Sequence, residues 1–134
     1  MDFLAYISTP RETLEGSPLI TKLRLTRGRL TGGFLYFPSG PAGALCFYAR
    51  MGVHQILPFN TGQNFRLDDC VVPFTLGIDL VEPPFSIDCV TWNNSTLYDH
   101  VLSVCFSLDP LVKKKYDLDS IAKAFSATSG YKKS

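Results

Sequence analysis

The sequence predicts an all-β protein: an antiparallel β-sandwich of eight or nine short strands, jelly-roll-like or immunoglobulin-like, with an N-terminal arm and a short C-terminal helix. Three observations lead there. Apolar and polar residues alternate in short runs between residues 19 and 108. Turn residues interrupt those runs roughly every 8 to 12 positions. No segment of helical period lies among them, which excludes parallel sheets built from strand–helix–strand units. A chain of 134 residues makes one domain, and at 46% hydrophobic and 19% charged residues it is not a disordered polymer. Apolar runs such as Phe3–Ile7 fall far short of the roughly 18 residues of a membrane-spanning helix.

Residues 1–18 read as an arm. An apolar start (Phe3, Leu4, Tyr6, Ile7) meets the breakers Pro10, Gly16 and Pro18, with no sustained period. Regularity begins at residue 19, where Leu19, Leu23 and Leu25 share one parity and Lys22, Arg24 and Thr26 the other. Gly28 and Gly32-Gly33 read as punctuation before a second strand, Phe34–Phe37. The loop Pro38–Gly43 separates it from strands at Ala44–Arg50 and Val53–Leu57, which break at Met51-Gly52. A polar loop at Asn60–Asn64 follows, then short strands near Phe65–Leu67, Cys70–Phe74 and Gly77–Val81. Pro83-Pro84 closes that block, because two prolines cannot sit in a central strand. Phe85–Trp92 alternates cleanly. After the Asn93–Thr96 loop, His100, Leu102, Val104, Phe106 and Leu108 line one face of the clearest strand in the chain.

The pattern then changes. Asp109-Pro110 ends the last strand, Lys113–Lys115 is a basic run, and Leu118, Ile121, Ala122 and Phe125 fall on one face of a helix of about ten residues. A helix so short is marginal in water and must dock on something. The chain thus divides into an arm (1–18), a sandwich (19–108) and a basic extension (109–134). Residues 1–108 hold seven Lys/Arg and nine Asp/Glu, and residues 109–134 hold six and three. That contrast suits a tail resting on the acidic rim of a neighbouring subunit (Asp68, Asp69, Asp79, Glu82).

Chemistry-bearing constellations are sparse. Cys46, Cys70, Cys89 and Cys105 contain no Cys-x-x-Cys pair and each lies in a predicted strand, the setting of a small buried hydrophobe. His54 and His100 lack an evident third metal ligand, and Asp68-Asp69 would face opposite ways in an extended chain. Neither a nucleophile elbow nor a phosphate-cradling glycine loop is present. The expectation is a non-enzymatic protein with no catalytic residues, no metal and no cofactor. A formal charge of +1 argues against nucleic acid as the main partner. The first residues carry no basic region of a secretory signal, so cytoplasmic synthesis without export is expected. A glycan-binding module is the competing expectation, with Trp92, Asn93, Asn94 and Tyr98 as the sugar-contacting loop; Tyr48 and Tyr36 are further aromatic candidates.

Several phrases, in order, carry a resemblance: Ile20-Thr21-Lys22, Phe37-Pro38-Ser39-Gly40, His54-Gln55-Ile56-Leu57-Pro58, Leu80-Val81-Glu82-Pro83-Pro84, and Trp92-Asn93 followed by His100. Over about residues 20 to 108 the chain resembles small all-β proteins encoded among the virion structural genes of tailed phages and prophage clusters. Both terminal extensions depart from that pattern. The resemblance implies a jelly-roll-type virion component of a capsid (as decoration), tail or spike base, working through protein–protein contacts. The expected partners are copies of itself and other virion proteins. Phe3, Leu4, Tyr6 and Ile7 of the arm and Leu118, Ile121 and Phe125 of the tail are the anchors expected to grip those neighbours.

Overall fold

The computed structural model describes residues 1–111. It contains eight strands in that span: β1 (Asp2–Thr9), β2 (Leu19–Arg24), β3 (Gly28–Phe37), β4 (Leu45–Met51), β5 (His54–Leu57), β6 (Cys70–Leu80), β7 (Ser86–Asn93) and β8 (His100–Asp109). They form two antiparallel four-stranded sheets. The first has the order β1-β8-β3-β6 and the second β2-β7-β4-β5. The chain is therefore folded back on itself about the β4–β5 hairpin. β3 meets β6, β2 meets β7 and β1 meets β8, and the β3–β8 and β4–β7 pairings complete the sheets. Among the described residues no helix is long and apolar enough to cross a membrane.

Strand period explains the core. Leu102, Val104, Phe106 and Leu108 of β8 point inward with Leu30, Leu35 and Phe37 of β3, and Leu45, Phe47 and Ala49 of β4 meet them with Ile87 and Cys89 of β7. Side chains from both sheets thus form one apolar cluster, a sandwich-like arrangement. Phe74 meets Phe106 edge-to-face, with ring centroids 5.4 Å apart. Buried polar contacts join the two sheets at Thr9, whose hydroxyl meets that of Thr91 at 2.8 Å and whose carbonyl accepts from Asn93 Nδ2 at 3.1 Å.

Four expectations need correction. Residues 1–18 are not an arm throughout, because residues 2 to 9 pair with β8 along their whole length and form an edge strand of the first sheet. The unpaired side of β8 supplies a ladder that an extended apolar segment fills. Gly32-Gly33 does not separate two strands either. β3 runs through it, with an extra residue between Leu30 and Gly32 that shifts the register against both neighbours. Both glycines hold φ near +150°, and a Cβ on Gly33 would collide with the Cys105 carbonyl of β8. Cys70–Phe74 and Gly77–Val81 belong to one strand, β6, which accommodates Pro73 because it lies at a sheet edge. Finally, the segment near Phe65 shrinks to a single bridge with Phe47. The extension predicted from 109 onward and its helix, with Leu118, Ile121 and Phe125, lie outside the described residues apart from the first three positions.

Gly33→Ala should destabilise the fold by at least about 3 kcal/mol, combining a forbidden φ with a backbone clash, as read from urea denaturation. All four cysteines are free thiols. Burial, helped by the nearby Asp88 charge, pushes the Cys89 thiol from its ordinary 9.0 up to about 12. The folded state therefore favours the neutral thiol, and its contribution is complete below pH 9 and lost as pH rises from 9 towards 12. Cys89 should resist alkylation in the native protein, and the stability difference between wild type and Cys89→Ala should shrink across that alkaline window.

Candidate interaction surface

The two sheets present different faces to solvent. On the second sheet the outward register position Lys22–Asp88–Arg50 is charged. Lys22 Nζ lies 3.2 Å from Asp88 Oδ1, and Arg50 Nε lies 3.5 Å from Oδ2. The outer face of the first sheet keeps its one ion pair, Arg29–Asp79, at one end and is apolar across its centre. The pairing registers place Leu4, Cys105, Phe34 and Pro73 side by side in one row across all four strands. The next row holds Tyr6, Ser103, Tyr36 and Val71, and the flanking rows hold Asp2, Ser107, Gly32 and Thr75 on one side and Ser8 with Val101 on the other. Asp2, at a corner, is the one charged residue among them.

This surface is apolar and open. Tyr6 is 74% exposed, Val71 57%, Leu4 47%, Val101 42%, Phe34 40% and Tyr36 38%. Isolated exposed apolar side chains are ordinary, but a contiguous set spanning a whole sheet is uncommon on a monomer. Charges gather at its two ends. Arg29 Nη1 pairs with Asp79 Oδ1 at 2.7 Å beside Asp109, and the Arg11 backbone N–H donates to Asp99 Oδ1 at 2.8 Å. An apolar centre with a polar rim is the usual anatomy of a protein interface.

The expected anchors of residues 3–7 divide between two environments. Ile7 is 2% exposed in the core and Phe3 packs against it, so neither is free to grip a neighbour. Leu4 and Tyr6 have the opposite parity and lie on the exposed face. The strand is apolar on both sides, which is why it reads as a run without period. The same holds for Phe34–Phe37. The clue available in the sequence was the failure of alternation in an otherwise alternating antiparallel chain.

The expected sugar-contacting loop is not assembled. Trp92 is 3% exposed and meets Tyr48 edge-to-face at 6.1 Å, so its ring face is closed to a stacked sugar. Asn93 is fully buried: its Nδ2 donates to the Thr9 and Tyr98 carbonyls at 3.1 and 3.0 Å, and its Oδ1 accepts from the Ser95 N–H at 3.0 Å. It ties the end of β1 to the 94–99 loop. Asn94 and Tyr98 are exposed, and the Tyr98 ring tilts toward His100 at 6.5 Å. His54 and His100 stand in different sheets. Among the described residues no three His, Cys, Asp or Glu side chains are grouped to hold a metal ion. Neither a protein-family model nor a curated protein nor a solved structure matches the chain.

Removing the amide of Asn93 leaves buried partners unsatisfied. Asn93→Ala should cost about 2 to 3 kcal/mol in chemical denaturation, and exposed Asn94→Ala less than about 0.5 kcal/mol.

Proposed function

We propose that the chain is a non-enzymatic structural module of jelly-roll type that works as a virion component, associating through the outer face of the first sheet. The single observation that carries the reading is the apolar surface spanning β1, β8, β3 and β6, whose charges stand only at its margins. The nested pairing β1–β8, β2–β7, β3–β6 and β4–β5 supports the jelly-roll part, since an eight-stranded double Greek key distributes its strands in this way, and such folds include capsid domains. The virion part rests on the resemblance drawn from the sequence phrases of residues 20–108.

The first partner in this reading is a second copy of the chain. A face with an apolar centre is complementary to itself, and a formal charge of +1 sets up little repulsion between copies. Strands about 4.8 Å apart and same-face residues about 6.8 Å apart give the four rows a flat footprint of roughly 500 Å². That is below the roughly 800 Å² per partner of a standard stable interface, so the pair is weak in isolation. Assembly then depends on many such contacts acting together, with Leu118, Ile121 and Phe125 of the extension as additional anchors.

Light scattering on a size-exclusion column should show a mass rising from 14.9 kDa toward twice that value as loading increases from roughly 10 μM to 1 mM, the range in which so small an interface associates. Tyr6→Asp and Phe34→Asp should hold the protein at the monomer mass with little loss of stability, because both side chains are exposed. An unchanged monomer mass for wild type at the highest loading would sink the self-association.

A further inference from the structure

We propose that the opposite face carries a binding site for a saccharide bearing a carboxylate, in a groove crossing the outer surface of β4. The groove has two lobes of about 450 and 280 Å³ that share Tyr48, Gln55 and Thr61. Arg50, Gly52 and Val53 line the first, and Glu15, Asn64 and Trp92 the second. Together they match the size of one or two sugar rings.

Three features make this a built site. The floor is the half-buried Tyr48 ring, fixed in orientation by the edge-to-face contact with buried Trp92. An aromatic face presents negative charge density to the C–H groups of a sugar ring. The wall is the loop from Pro58 to Gln63, and it is held from below by one side chain. Gln55 Nε2 donates to the carbonyls of Pro58, Asn60 and Gln63 at 2.8, 3.3 and 2.9 Å, and Gln55 Oε1 accepts from the Gly62 N–H at 3.3 Å. Spending a whole amide on the loop backbone fixes the groove before any ligand arrives, so little ordering cost remains for binding.

The third feature sets the ligand's chemistry. Arg50 uses Nε toward Asp88, while its two Nη groups have no partner among the described residues. A planar guanidinium with a free fork at one end of a groove is suited to a carboxylate, which it holds through two parallel hydrogen bonds. The remaining polar groups suit hydroxyls: Thr61 and the amide Nδ2 of Asn64, whose Oδ1 accepts from Arg66 Nε at 3.4 Å, with the Glu15 carboxylate at the far end. Val53 is the one aliphatic side chain in the lining, so the groove lacks the apolar sockets that would read peptide side chains. An acidic saccharide fits better than an acidic peptide.

The test is an array of uronate-containing, sialylated and neutral oligosaccharides, followed by isotope-edited NMR titration of the full chain with the best acidic saccharide, its neutral counterpart and an acidic peptide. The expected result is binding of an acidic saccharide, with shifts at Tyr48, Arg50 and Thr61 and affinity at least ~10-fold above the neutral counterpart. Arg50→Gln should remove that preference while Asp88 keeps Lys22, and Tyr48→Leu should weaken both saccharides; unchanged spectra elsewhere verify the fold. Absence of any acidic saccharide on the array, equal affinity for the neutral counterpart, or a peptide binding more tightly at these residues each overturns the proposal.

Discussion

The pairing of β1 with β8 is the constraint on which the rest of the molecule depends. Without it β8 is an edge strand, the Thr9–Thr91 and Asn93–Thr9 hydrogen bonds have no anchor, and Ile7 leaves the core. With it, the first sheet is four strands wide and its outer surface gains Leu4 and Tyr6. The segment closes the core with one parity and builds the exposed apolar face with the other. An antiparallel sheet normally keeps one side polar for water; this one is apolar on both.

That double use explains the contrast between the two outer faces. The second sheet satisfies water with Lys22, Arg24, Asp88 and Arg50, and the loop pinned by Gln55 rises beside them to form a groove. The first sheet places serines, a cysteine, glycine and proline between its aromatic residues, so the aromatics of β1 and β3 stand above a low surface rather than in a pocket. A low apolar surface suits another sheet, whereas a walled groove with a guanidinium at one end suits a small polar ligand.

Much of the fold was legible in the sequence because period-2 patterning is strong where one face is wet. The second half of the chain, β7 and β8, alternates and was read almost to its boundaries. Legibility failed where local signals conflict with long-range pairing. The two glycines of β3 read as breakers, yet they sit in the strand because its neighbours come too close for a Cβ. Thr75-Leu76 read as a gap between two short strands, but β6 runs straight through it. β1 read as an arm because pairing over about a hundred residues leaves no local trace. The candidate site was legible only in reverse: Trp92 and Asn93, chosen for their chemistry, are internal, and the exposed surface lies in runs that looked like core.

The central claim is that the outer face of the first sheet meets its counterpart on another copy. Intermolecular NOEs in a sample mixing isotope-labelled and unlabelled protein test it most directly. The account predicts cross-molecule contacts among the rings of Tyr6, Phe34 and Tyr36 and the methyl groups of Leu4 and Val71. Contacts confined to the charged sheet, or a concentrated sample in which those rings stay fully accessible to a soluble paramagnetic probe, would contradict it.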